Sequence, residues 1–147
     1  MNEQDIELLR KVLKEHGQSL TTARRTICEA LWDHEPQTMR QLIDRTQGKV
    51  NRASLYRTIE LFEKLGLVNR IYIGWKYKIE LSDTLTHHHH HVSCVQCGKV
   101  TAIREEQAVE KLIHALAQKY GVTPQQHQLE IQGVCTDCQT KAPTKLS

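Results

Sequence analysis

Two short cysteine pairs constrain this chain more than any other feature. Cys94-Val-Gln-Cys97 and Cys135-Thr-Asp-Cys138 each set two thiols either side of a two-residue spacer, with a long insertion between the pairs. Such a spacer lets one tight turn present both sulfurs to the same ion, and tetrahedral zinc accepts four thiolates at about 2.3 Å. Gly98 directly follows the first pair and suits the backbone of a metal knuckle. A thioredoxin-like redox pair or idle buried thiols would account for one pair, but not readily for two matched pairs in one small domain. The spacing therefore predicts a structural Zn2+ site that draws together distant parts of the chain. The fifth cysteine, Cys28, lies apart from the pairs and reads as a small core residue.

Five consecutive histidines, His87–His91, run into the first cysteine pair. An expression tag would sit at a terminus, whereas this run is internal. In an extended run side chains alternate, so His89 and His91 face one way while His88 and His90 face the other. One strand then feeds two separate metal sites, and imidazole suits zinc, iron, nickel and copper alike. Glu80, Glu110 and His127 are the candidate outside partners. Each also has an ordinary reading, as a solvated strand residue, a solvated helix position and a satisfied core histidine. His127 is the most suggestive, because it is expected to share a strand face with Leu129 and Ile131. His16 and His114 read as surface residues.

The first half of the chain has helical periodicity. A helix is expected over Glu3–His16, stopped by Gly17, and a second is capped by Thr21 or Thr22 and ends near Pro36. Thr38 precedes a short third helix. A fourth runs from about Asn51 to Leu65 with Leu55, Ile59 and Phe62 as its buried stripe and Gly66 as its stop. Leu67–Ile73 and Lys76–Leu81 form a hairpin through Gly74-Trp75. Four helices and a hairpin match a winged helix-turn-helix. On the fourth helix the stripe turns inward, leaving Ala53 and Arg57, flanked by Ser54 and Tyr56, on a small, hydroxylated, cationic outer face. That face suits the DNA major groove, where Arg takes guanine bidentately and hydroxyls bind phosphate. Arg24, Arg25, Arg52, Lys76 and Lys78 are candidates for further DNA contacts, although a solvated surface is the commoner fate of any single cation.

The segment Ser82–Thr86 reads as a linker, dividing a DNA-binding domain over 1–82 from a metal-binding domain over 83–147. The second domain is expected to be α/β: a strand over Lys99–Arg104, an amphipathic helix over Glu105–Tyr120, a strand around His127–Ile131, and an unstructured tail from Thr140. Up to Glu80 there are 14 Lys and Arg against 11 Asp and Glu; beyond it there are 6 of each. The excess positive charge is thus confined to the first half, consistent with an anionic partner there. Met1–Gly17 mixes charged and apolar residues, unlike a signal peptide, and no run nears the roughly 20 apolar residues of a membrane helix. The expectation is a cytoplasmic protein with no membrane partner and reduced thiols.

Taken in order, Thr22-Ala-Arg-Arg-Thr-Ile27, Ala53-Ser-Leu-Tyr-Arg57, the histidine run into Cys94-x-x-Cys97-Gly98-Lys99, His127 and Cys135-x-x-Cys138 resemble the ferric uptake regulator family over almost the whole chain. Ser-Leu-Tyr-Arg looks like that family's recognition-helix signature, usually Thr-Val-Tyr-Arg. The resemblance implies an α+β fold, with a winged helix-turn-helix followed by a small α/β dimerisation domain. It implies a homodimeric, metal-dependent repressor of double-stranded operator DNA, not an enzyme. It assigns Cys94, Cys97, Cys135 and Cys138 to structural zinc, and His88, His90, Glu110 and His127 to a second site, where an aspartate more often stands at His90. Glu80, His89 and His91 correspond to the regulatory site. The further histidine of that site aligns here with Pro36, with His34 or Glu35 as near substitutes.

For the sensed ion, Fe2+ ranks first, since zinc-sensing relatives often carry a cysteine at the regulatory site and none lies between Cys28 and Cys94. Zn2+ is the alternative, favoured by the imidazole-rich ligands. A zinc hydrolase or deaminase would need an open metal position and a characteristic sequence motif, and neither H-E-x-x-H nor H-x-E…P-C-x-x-C occurs. A metal-storage module would explain the histidines but not the recognition helix.

Overall fold

A computed structural model describes residues 1–32, 34–104, 106–125 and 127–141. The chain forms two compact units, Met1–His87 and the segment from His88 onward. The division drawn from sequence after Ser82 differs from this one by the short stretch 83–87.

In the first unit, helices α1 (Glu3–Glu15), α2 (Thr22–Leu31), α3 (Met39–Arg45) and α4 (Arg52–Lys64) precede strands β1 (Val68–Ile73) and β2 (Lys76–Leu81). Local chemistry sets the helix starts. Asn2 and Asp5 form a reciprocal capping box on α1, and Thr38 and Gln41 form another on α3. Of the two threonines expected to cap α2, Thr21 does so, its hydroxyl accepting the Arg24 N–H at 3.3 Å. The Asn51 side chain accepts the Ser54 N–H at 2.8 Å to open α4. Gly66, at φ 68°, ends it: the Leu67 N–H donates to the Phe62 carbonyl at 2.8 Å and the Gly66 N–H to that of Glu63 at 3.0 Å.

Helix α2 stops at Leu31, earlier than expected near Pro36. Trp32 already leaves the helical region, at φ −67° and ψ 134°. Gln37 instead exchanges backbone hydrogen bonds with Ile79 of β2 at 2.8 and 2.7 Å. The α4 stripe of Leu55, Ile59 and Phe62 packs with Leu9, Leu13, Ile27, Leu42 and Ile79 in one apolar cluster. Cys28 is part of that cluster, and burial pushes its thiol up to about 12, as expected for an inert core residue. The antiparallel hairpin closes at the Ile73–Lys76 pair, leaving Gly74 and Trp75 as the turn. This is the expected winged helix-turn-helix.

The second unit contains β3 (His89–Cys94), β4 (Val100–Arg104), helix α5 (Gln107–Lys119), β5 (Glu130–Gly133) and helix α6 (Thr136–Lys141). β3 is central, antiparallel to β4 and parallel to β5. Two expectations change here. The strand around His127 begins only at Glu130, because its ladder with β3 starts at the His91–Glu130 pair; His127 therefore lies in the segment before β5. α6 was not expected, and it takes in Thr140, whose hydroxyl donates to the Thr136 and Asp137 carbonyls. The remainder of the expected tail, 142–147, lies outside the described residues, as does Glu105, the expected start of α5. Finally, the amphipathic α5 buries none of its residues: Leu112, Leu116 and Tyr120 of its apolar stripe are 60%, 48% and 75% exposed.

Candidate metal centres and nucleic-acid face

The backbone of β3 converts the histidine run into two faces. Because side chains alternate along a strand, His88 and His90 approach one another edge to face at 4.8 Å between ring centroids. His89 and His91 do the same at 4.8 Å. The first pair meets Glu110, from the first turn of α5, and His127, from the segment before β5. Here His90 Nε2 lies 2.8 Å from Glu110 Oε1, His127 Nε2 lies 3.1 Å from Glu110 Oε2, and the Nε2 atoms of His88 and His127 are 3.0 Å apart. Ligand atoms bound tetrahedrally at about 2.1 Å stand roughly 3.4 Å from each other. Three imidazoles and one carboxylate are thus already spaced for a divalent ion, with His90 buried and the other three half-buried.

Electrostatics reinforce the cluster. Burial alone would raise the Glu110 carboxyl. The hydrogen bond with His90 and the charges of His127 and His88 outweigh it and hold the group below the ordinary carboxylate range, as an anionic ligand requires. Nδ1 of His90 is buried and, among the described residues, has no hydrogen-bond partner. Its ring is therefore oriented by packing and by Nε2, without the outer hydrogen bond that usually steers a metal-binding histidine.

The four paired cysteines converge in the same way from two local turns. Cys94 ends β3, and the chain reverses through Gly98 at φ 73°, with the Gly98 N–H donating to the Cys94 carbonyl at 2.8 Å. Cys135 immediately precedes α6 and Cys138 lies in its first turn, so the helix start presents both sulfurs to one side. The four sulfurs lie within 4.8 Å of one another, and those of Cys97 and Cys135 are 3.9 Å apart. Zinc–sulfur bonds of about 2.3 Å imply sulfurs about 3.8 Å apart. Backbone N–H groups, that of Cys135 foremost, lower the Cys94 thiol to about 6. Cys138 moves the other way, to about 12, chiefly through its contact with the Cys135 sulfur. A coordinated ion would deprotonate its thiol ligands outright.

Glu80, the third candidate partner, stands near the end of β2 in the first unit, while the His89–His91 pair belongs to the second. Of the possible substitutes at the aligned Pro36, His34 has its Nε2 engaged by the Arg45 guanidinium.

On α4, the side chains of Arg52, Tyr56 and Arg57 are exposed and Ser54 is half-buried. Among the described residues, Arg52, Tyr56 and Arg57 make no side-chain hydrogen bond or ion pair. The two arginines of α2 differ. Arg24 spends its guanidinium on the Ser19 carbonyl and the Gln18 side chain, at 2.5 and 2.9 Å, fixing the α1–α2 connection. Arg25 pairs with Glu29 at 2.8 Å. Lys76 lies beside Trp75 in the hairpin turn, its ammonium 4.8 Å from the ring centroid, a contact that sequence reasoning missed because nothing local required it.

The family model described as the ferric uptake regulator family matches residues 15–132. A ferric uptake regulation protein from Vibrio parahaemolyticus is 32% identical over 134 residues, spanning 86% of this chain and 87% of the relative. Among solved structures, the ferric uptake regulator of Vibrio cholerae superposes with a TM-score of 0.69 at 27% identity, over 86% of this chain and 99% of that one. A zinc-bound manganese uptake regulator superposes with a TM-score of 0.61 at 28% identity, over 87% and 98% respectively.

Proposed function

The chain belongs to the ferric uptake regulator family, and on that basis we propose that it is a homodimeric, metal-dependent repressor that binds double-stranded operator DNA and controls metal-uptake genes in response to iron. One observation carries the reading: a helix-turn-helix with an unpaired cationic recognition face shares a chain with preformed sets of metal ligands. The first unit reads DNA. Arg52, Ser54, Tyr56 and Arg57 of α4 enter the major groove, and Arg25 and Lys76 contact phosphate. Arg24 acts mainly by holding the α1–α2 connection in place. The second domain, read from the sequence as beginning at residue 83, dimerises through the uncovered stripe of α5 and carries the metals. Cys94, Cys97, Cys135 and Cys138 hold structural zinc, which supplies folding free energy directly. His88, His90, Glu110 and His127 hold a second ion. His89 and His91 are ligands of the regulatory ion, with Glu80 carried over from the family resemblance. The protein works in the cytoplasm, where its thiols stay reduced.

Regulation follows from linkage. If ligation favours the DNA-binding arrangement, metal raises operator affinity and operator raises metal affinity by the same factor. A zinc-responsive regulator is the second reading, favoured by His90, which makes the second site three imidazoles and one carboxylate, a set suited to borderline ions. A hydrolytic role is disfavoured by that same set, since four protein ligands leave no open position.

Elemental analysis of untagged chain, before and after a mild chelator, is the first test. One zinc retained per chain beside a labile second metal is the expected result; no retained zinc in folded dimer would overturn the cysteine assignment. DNA binding then follows with each metal restored. His89→Ala should abolish the metal response while leaving the dimer folded, and Leu116→Glu should weaken the dimer without unfolding the first unit.

A further inference from the structure

The segment 82–86, which the sequence presents as a linker, is docked on the first unit. Its residues, Ser-Asp-Thr-Leu-Thr, include neither the glycine of a flexible tether nor the proline of a stiff spacer. A tight turn folds the segment back on itself. The Leu85 and Thr86 N–H groups both donate to the Ser82 carbonyl, at 2.9 and 3.1 Å, and the Thr86 hydroxyl donates to it at 3.0 Å. Leu85 enters the apolar cluster that includes Leu55, Ile59 and Phe62 of α4, where it is 7% exposed. A linker in open solvent would leave its leucine bare; this one gains burial only by holding one conformation.

The same turn is bonded to the end of the recognition helix. The hydroxyl of Ser82, a buried residue, donates to the Gly66 carbonyl at 2.5 Å, and the Thr84 hydroxyl donates to the same oxygen at 3.2 Å. The Ser82 N–H donates to the Leu67 carbonyl at 3.0 Å. Carbonyls at and just beyond a helix end lack intrahelical partners, so these bonds satisfy groups that α4 leaves open. The chain leaving β2 is thus held to α4 from Ser82 to Leu85, and the first unit ends two residues further on, at His87. His88 begins the second unit, and His89 is the first residue of β3.

Packed side chains and hydrogen bonds of this kind are what can carry coupling between two sites. We infer that residues 82–86 form a latch that transmits metal ligation to the recognition helix. With the chain fixed to the end of α4, the swivel is confined to His87 and His88, directly before the ligands His89 and His91. A free five-residue tether would let the ligand strand take up its ion while α4 stayed indifferent. With the latch closed, the ion's preference for one arrangement is also a preference of α4. Ser82 and Leu85 are positioning residues: neither is a metal ligand or part of the outer face of α4. This rests on the metal-regulated DNA-binding reading above.

The test uses full-length chain that keeps its cysteine-site zinc, Mn2+ as the labile probe ion, and a labelled duplex selected by the wild-type chain from a random-sequence pool. Fluorescence anisotropy gives the DNA affinity with and without Mn2+, and their ratio is the linkage. Wild type should show a ratio in the usual range of about 5–150. Leu85→Ser should bring it to about one, the value of uncoupled sites, with ion-free DNA affinity and DNA-free Mn2+ affinity unchanged. A Gly-Ser-Gly-Ser insertion between Thr86 and His87 adds slack without touching the latch or the core, and should do the same. Leu85→Met, of similar volume, should keep the wild-type ratio. Hydrogen exchange reads the latch directly, since the Leu85 and Thr86 amides should be protected in wild type. Random-coil exchange of those amides, or a wild-type ratio in either folded uncoupling variant, would overturn the latch and leave the DNA-binding reading intact. Equal loss of DNA affinity with and without Mn2+ would make the segment a purely structural support and overturn the latch as well. Wild type that binds no DNA, or binds it regardless of metal, would remove the reading on which the latch rests.

Discussion

The two units reach ordered structure by different means. The first closes a conventional apolar core, with residues from all four helices and both strands at or near zero exposure. In the second, among the described residues, Val100 is the only aliphatic side chain that is buried, and what else is covered is largely chemical: Cys94, Cys138, His90, His91 and Ser93. Small cores cannot alone supply a margin over conformational entropy, and metal ligation is one established substitute. On the proposed reading the first unit keeps its surface for DNA. The second buries side chains with ligand chemistry and leaves its apolar helix face outward.

The sharpest way to break this contrast is to remove the cysteine site. Cys135→Ser, or stripping with a strong chelator, is expected to unfold the second unit, since structural zinc contributes on the order of 10 kcal/mol in small metal-dependent domains. NMR spectra should show the first unit's resonances in place while the second unit's collapse to random-coil positions. Loss of both sets together would show that the first unit depends on the second.

The reciprocal substitution is Phe62→Ala, at the centre of the apolar cluster with no exposure. It should cost about 3–5 kcal/mol in the first unit, read by urea unfolding, while zinc stoichiometry stays constant.

A smaller effect separates charge from packing within the second unit. Glu110 has a depressed folded value, so in chain freed of labile metal by a mild chelator that leaves the cysteine-site zinc, its contribution is fully present above the unfolded carboxylate range, near pH 4.3. It is lost as pH falls through the lower folded value. Unfolding of the second unit followed across that window should show the loss, and Glu110→Gln should flatten it.

The smallest expected change sharpens the comparison from the other side. Thr38→Ala removes the capping box of α3 and should lower first-unit stability by about 1 kcal/mol, with metal affinity unchanged by titration.

Much of this was legible in the sequence because it is local. Caps at Thr38 and Asn51 and the stop at Gly66 act within one turn of the residues they affect, and the alternation of His88 to His91 follows from strand geometry alone. What escaped notice depends on distant partners. Gln37 joins the hairpin only because Ile79 is beside it. His127 looked like a strand residue by its spacing to Leu129 and Ile131, yet the available ladder on β3 begins at Glu130. Helix α6 is a single short turn pair with little apolar periodicity to announce it. The α5 stripe signalled amphipathicity without revealing that its own chain leaves it uncovered.

Sequence by itself determined which residues have ligand chemistry, the local turns that present them in pairs, and the helical periodicity of the first unit, because side-chain type and short-range backbone geometry travel with the chain. Tertiary structure decided the distances at which Cys94 meets Cys135 and at which Glu110 and His127 join His88 and His90, and that Trp75 remains bare at the wing tip. Those outcomes depend on strand order and register, which set distances between residues that the chain order leaves far apart.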